Sequence, residues 1–249
     1  MSRFFHYLPY GTVYVVILLI LISFAYAWLI RPEGQSCSDG IQDQSEQGVD
    51  CGEACGKKCR AYVPLRVKRV WLIPEDEGYA SVVVQVENQN KDAASKTFDY
   101  TTRFFDESGS ELKSSFGSSF TYAGEVKNLV FYRVAVDRPL GRASLTIGRT
   151  SWVDAGAFLR PAIFIEGQSS TVTENGIRVE GKVINREPFA LRRVRVGVLV
   201  YAENGDLRGV RETEFTTVSG GESHRFEFIL EEVKAQRVHI EVVVSAARP

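Results

Sequence analysis

The sequence predicts a mainly β protein: a single N-terminal transmembrane helix, a short cysteine-rich segment and two tandem antiparallel β-sandwiches. Three observations carry this. The run Thr12 to Ile30, TVYVVILLILISFAYAWLI, holds no charged side chain. All four cysteines, Cys37, Cys51, Cys55 and Cys59, cluster directly after it. From there to the C-terminus, short alternating runs are separated by Gly, Asn, Asp and Ser, and their order occurs twice. The expected boundaries are 1–31 for a cytoplasmic stub and helix, 32–60 for a cysteine-rich stalk, 61–150 for the first sandwich and 151–249 for the second.

The first element follows from length and hydropathy. At about 1.5 Å of rise per residue, the run over 12–30 roughly matches a ~30 Å hydrocarbon core, so membrane lipid is its expected partner. Tyr10, Trp28 and Arg31 stand at its ends, where amphipathic rings and a cation meet headgroups. Pro9 and Gly11 mark a helix start; Pro32 and Gly34 mark its stop. Ala25-Tyr26-Ala27 offers the rival reading, a cleaved signal peptide with a secreted product. The apolar run continues past that site through Trp28-Leu29-Ile30, and Arg3 is the sole Lys or Arg before it, which favours an uncleaved anchor.

The cysteines are spaced C-x13-C-x3-C-x3-C. Tetrahedral zinc sites usually present C-x2-C knuckles, which two successive three-residue gaps fit poorly. An even cysteine count in a loop-rich stretch with almost no apolar residues fits two disulfides better, because cross-links must restrict a chain that lacks a core. Four cysteines allow three pairings, and the spacing selects none of them. Disulfides would place residues 32–249 on the oxidising, extracytoplasmic side of a cell membrane, with the N-terminus in the cytoplasm.

Asp39, Asp43, Glu46 and Asp50 add a carboxylate series at spacings of four, three and four. Calcium takes six to eight oxygens, so this series is the candidate calcium site, and calcium the sole candidate cofactor. The string does not match an EF-hand loop, and a solvated acidic loop is the plainer expectation.

The stretch CSDGIQDQSEQGVDCGEACGKKC (37–59) resembles a cysteine-rich module of exported bacterial proteins, patterned C-x-DGI-x-N-x-x-E-x-G-x-DCGG-x-C-x-x-C. Cys37, Asp39-Gly40-Ile41, Glu46, Gly48 and Asp50-Cys51-Gly52 match it. Asp43 stands where asparagine is usual, Glu53 replaces the second glycine, and the last cysteine gap is one residue longer. The resemblance implies an exported protein.

Residues 81–90, 98–112, 118–136 and 142–148 read as strands and hairpins, and 176–187, 194–207, 213–230 and 237–244 repeat the order. Val86 aligns with Val183, Phe105 with Tyr201 and Phe120 with Phe215, at offsets of 97, 96 and 95. In each copy one strand ends in an Asn turn, VENQN or VINRE, and the next reaches FDESGS or YAENGD, whose Gly supplies the positive φ of a tight hairpin. Seven or so strands per copy are expected. The second copy resembles FxLYD-type immunoglobulin-like sandwiches through Val179-Glu180-Gly181-Lys182-Val183-Ile184-Asn185 and the run Val194 to Gly205, with Tyr201-Ala202-Glu203 in place of L-Y-D. That resemblance implies an exported or membrane-tethered, noncatalytic module. The junction TSWVDAGAFLRPAIF lacks a Gly/Ser spacer, so the sandwiches are expected to dock tail to head.

A net charge of -1 leaves no electrostatic footprint for nucleic acid. The run Leu191-Arg192-Arg193-Val194-Arg195-Val196 reads as a strand with one solvated face. His6 precedes the span, His224 and His239 lie in alternating runs, and no G-x-S-x-G, H-E-x-x-H or P-loop occurs, so no catalytic residue is expected. Trp71 and Trp152 are expected in packing roles. The function expected is a noncatalytic, membrane-anchored extracytoplasmic scaffold, assembly or adhesion module that docks other envelope proteins. The alternative is a calcium-dependent sensor or carbohydrate-binding module, and the sequence names no small-molecule ligand.

Overall fold

The computed structural model describes residues 8–29, 37, 46, 50–59, 61–75, 78–174, 176–231, 233 and 237–248. The chain separates into two compact units, Met1–Ala61 and Tyr62–Pro249.

The first unit opens with helix α1, Leu8–Leu29. Its described side chains, at 13–24 and 26, are all exposed, among them Val13, Ile17, Leu18, Leu21 and Phe24. The side chains of 12, 25 and 27–30 in the expected span lie outside the described residues. Among the described residues, no helix is long and apolar enough to cross a membrane. After α1 comes a single 3-10 turn over Glu53–Cys55, closed by Gly56 at φ 60°.

The second unit is mainly β, with a 3-10 turn over Ala155–Ala157. Its strands are β1 (Arg66–Pro74), β2 (Tyr79–Glu87), β3 (Ala93–Asp106), β4 (Glu111–Thr121), β5 (Val126–Ala135) and β6 (Leu140–Asp154). They continue as β7 (Ile163–Thr173), β8 (Gly176–Asn185), β9 (Leu191–Ala202), β10 (Leu207–Val218), β11 (Ser223–Leu230) and β12 (Val238–Ala247). Four three-stranded antiparallel sheets result, β1-β2-β5, β4-β3-β6, β7-β8-β11 and β10-β9-β12. Each half of the unit therefore carries six strands among the described residues, not the seven or so expected.

Alternation explains which faces meet. Val82, Val84 and Val86 on one face of β2 pack against Phe98 and Phe104 of β3 and Leu145 of β6, closing the first sandwich. Val194, Val196, Val198 and Val200 of β9 pack against Val179 of β8 and Phe226 and Phe228 of β11, closing the second. The opposite faces are apolar too. Val83 of β2 and Ile73 of β1 meet Leu199 of β9 and Leu207 and Val210 of β10 in a further buried cluster. The sheets β1-β2-β5 and β10-β9-β12 are thus covered on both sides, and the sandwiches join through sheet faces. This replaces the tail-to-head docking expected from the junction. The reason is Val83 of β2 and Leu199 of β9, which stand at outward positions where a solvated strand face would carry polar groups.

The turns obey the sequence. Gly109 at φ 85° and Gly205 at φ 82° close the β3–β4 and β9–β10 hairpins, donating N–H to Asp106 O at 3.0 Å and to Ala202 O at 2.9 Å. The Asn turns are buried corners. Asn88 donates through Nδ2 to the carbonyls of Ala93 and Tyr122, both at 2.9 Å, and its Oδ1 accepts the Asn90 N–H at 3.0 Å. Asn185 does the same in the second half. Its Nδ2 reaches the Phe189 and Val218 carbonyls at 2.8 and 2.9 Å, and its Oδ1 accepts the Glu187 N–H at 2.9 Å.

Candidate functional site

The cysteine segment forms two interleaved disulfides, Cys37–Cys55 and Cys51–Cys59, with Cα separations of 5.6 and 5.0 Å. Gly52 and Lys57 pair in a small antiparallel bridge inside the second loop, the Gly52 N–H reaching Lys57 O at 2.7 Å. With all four cysteines paired, the segment presents no thiolate.

The carboxylate series is brought together only in part. Glu46 is 6% exposed; its Oε2 accepts the Asp50 N–H at 2.8 Å, and its Oε1 lies 3.1 Å from the Cys55 sulfur, which carries no proton in the disulfide. Glu46 thereby caps the backbone at Asp50, a residue held at φ 54°, where Asp is among the side chains that tolerate a left-handed conformation. Asp39 and Asp43 lie outside the described residues. The histidines take packing positions: His224 of β11 lies against Phe215, ring centroids 5.1 Å apart, and His239 of β12 against Tyr201 at 6.2 Å.

The seam between the sandwiches holds the more unusual chemistry. Trp71 of β1 meets Tyr201 of β9 edge to face at 6.0 Å, so this tryptophan is an interface residue, while Trp152 stacks on Tyr62 at 5.1 Å. The Glu75 side chain is fully buried, with guanidinium nitrogens of Arg133 at 3.4 Å and of Arg211, from the other half, at 3.8 Å. The Tyr122 hydroxyl donates to the Ala246 carbonyl of β12, and burial, with Glu125 nearby, pushes its pKa up.

Beside Tyr122 the seam opens into a cleft of about 460 Å³. Among the described residues six cations line it, Lys96, Lys127, Arg192, Arg193, Arg195 and Arg248, and no carboxylate does. Lys127 of β5 is 7% exposed; its Nζ donates to Ser245 Oγ of β12 at 2.8 Å and sits 3.6 Å from the Phe120 ring centroid. Burial draws its pKa down to about 8. Arg195 is held by Glu214 at 2.8 Å and Arg248 by Glu187 at 2.6 Å, both carboxylates pointing in from outside the lining. Among the described residues, Lys96, Lys127, Arg192 and Arg193 have no ion-pair partner.

Sequence reasoning missed this cleft, although a signal was present. Arg192 and Arg193 are adjacent, and strict alternation cannot place both on one solvated strand face. The structure resolves the conflict with Arg193 at φ 49° and a break in β9–β12 register between Ser245 and Ala247. Lys127, in GEVKNLV, carried no such flag.

No protein-family model matches the chain, and no curated protein matches it either. Among solved structures it is similar to a red sea bream transglutaminase at 10% identity, covering 77% of this chain and 30% of that one, with a TM-score of 0.25. It is also similar to the tandem CBM22-1–CBM22-2 domains of Paenibacillus barcinonensis Xyn10C at 12% identity, covering 74% and 81% of the two chains, with a TM-score of 0.10. Likenesses at these scores carry no argument about fold or activity.

Proposed function

We propose that the chain is a noncatalytic, membrane-anchored module that presents a rigid β-block to other proteins of a cell envelope. The observation that carries the proposal is the pair of disulfides directly following a charge-free apolar run, since structural disulfides persist in oxidising compartments. The anchor draws support from α1, whose described apolar side chains are exposed.

The two sandwiches are read as copies of one immunoglobulin-like unit. Supporting this are the strand orders, 1-2-5 and 4-3-6 in one half and 7-8-11 and 10-9-12 in the other, and the matching corners at Asn88 and Asn185. In the block, β4 and β6 flank β3 and β7 and β11 flank β8, which makes these four the edge strands of the two outward sheets among the described residues, where a partner strand could add. Glu46 accepts the Asp50 N–H, a structural role inside the disulfide-closed segment.

Protease added to intact spheroplasts expressing the full chain tests the topology. Digestion of the C-terminal half without lysis is expected. A C-terminal half protected until lysis, with four alkylatable thiols, overturns the proposal.

A further inference from the structure

The cleft at the seam goes beyond a scaffold role, and it holds whether or not the chain is anchored. A surface that evolved only to pack would pair its charges or leave them fully hydrated. Here four cations with no ion-pair partner among the described residues line one concavity, and one of them, Lys127, is buried while the other three are exposed. A buried ammonium is costly; the Ser245 hydroxyl, the Phe120 face and the charges of Glu125 and Glu212 compensate it only in part, since its pKa still falls. Arg248 adds a buried Nε with no hydrogen-bond partner among the described residues.

The backbone is distorted in the same place. Arg193 occupies the left-handed region at φ 49°, which a long side chain seldom adopts, and β9 and β12 lose register opposite it. That distortion lets two adjacent arginines both line the cleft.

The lining also selects among anions. Thr97, Ser118, Ser119 and Ser245 supply hydroxyl donors among the cations. A carboxylate offers two oxygens; a phosphoryl group offers three, more charge, and the geometry that forked guanidinium groups match. Phe120 and Ala247 give an apolar wall for an organic remainder, and the volume is that of a small-molecule site.

We propose that this cleft binds a phosphate-bearing organic molecule, its phosphoryl group held by Lys96, Lys127, Arg192 and Arg193. The phosphoryl group could belong to a soluble sugar phosphate or to a lipid headgroup, so the test carries both. The full chain in neutral detergent is titrated calorimetrically at low salt with pyrophosphate, glucose 1-phosphate, short-chain dihexanoylphosphatidylglycerol and citrate. Expected is binding of pyrophosphate and of at least one organic phosphate, each at least tenfold tighter than citrate. Preference for glucose 1-phosphate assigns a soluble ligand; preference for the phospholipid assigns a headgroup.

Lys96 and Arg192 are exposed, so K96S/R192S is a variant whose fold is not at stake. It is expected to weaken phosphate binding at least tenfold with an unchanged melting temperature. The reverse-site control R178S/R225S, on the outer face of the second sandwich, is expected to leave binding within twofold. Absence of heat at millimolar ligand, equal binding of citrate and phosphates, or equal loss in the control variant each overturns the proposal.

Discussion

The Lys127 ammonium donates to the Ser245 hydroxyl at 2.8 Å, so a buried cation from one sandwich is tied to the last strand of the other. Its pKa is drawn down by burial to about 8, from an ordinary 10.5. Between those values the unfolded chain holds a proton that the folded chain has released, so stability rises with pH through that window. The slope is at most ~1.4 kcal/mol per pH unit. Above about 10 three tyrosines oppose it: desolvation raises buried Tyr122 and half-buried Tyr100 and Tyr201, so the unfolded chain loses those protons first. Urea denaturation from pH 7 to 10 is expected to show a rise that levels near pH 10. Lys127→Met is expected to remove the rise and to raise stability at pH 7. An unchanged pH profile in that variant sinks the assignment.

The two Asn corners give a paired expectation. Asn88 and Asn185 each satisfy at least two backbone carbonyls and accept one backbone N–H from inside the fold. Removing either amide strands those groups without water, at about 1–3 kcal/mol per unsatisfied group. Asn88→Ala and Asn185→Ala are each expected to lower stability by about 3 kcal/mol, within experimental error of one another. A near-neutral effect at one of them, in chemical denaturation, would show that water enters that corner.

Much of this fold was legible because side chains obey the period of two. The hairpin glycines and Asn corners were readable as local chemistry, and the strand runs around Val86, Val183, Phe105 and Tyr201 fell where expected. β1 and β7 were harder, since VKRVWLIP and IFIEGQSSTVT carry weak alternation. The face-to-face seam was written in Val82-Val83-Val84, where a half-solvated strand would have interposed a polar residue. The cleft was the least legible. Lys127 looks like any strand lysine until β12, over a hundred residues later in the chain, folds across it.

The disulfide-closed segment should behave independently of the β-block, because the two belong to separate compact units. Reduction is expected to release four alkylatable thiols and to leave the thermal transition of the β-block within 1–2 °C. Loss of the two bridges removes restraints worth about 2–4 kcal/mol each from a segment with little apolar core, so residues 37–59 become protease-sensitive on reduction. Calcium is expected to protect neither form; protection of the oxidised form by millimolar calcium would revive the carboxylate series as ligands.

The seam sets the last expectation. Leu199 is fully buried between the sandwiches, against the Val83 face of the first half, with Glu75 and Arg211 bridging the halves nearby. Joined in this way, the two sandwiches are expected to unfold in one calorimetric transition. Leu199→Ala removes buried methyls from that contact and should cost about 2–5 kcal/mol. Leu199→Asp places an unpaired carboxylate there, so the halves should uncouple before either melts, and the single transition should split into two. Val200, the next residue, points into the second sandwich, so Val200→Ala should lower that transition without splitting it. Two transitions in the unaltered protein, or an unsplit transition in Leu199→Asp at normal stability, would mean that the seam does not couple the halves.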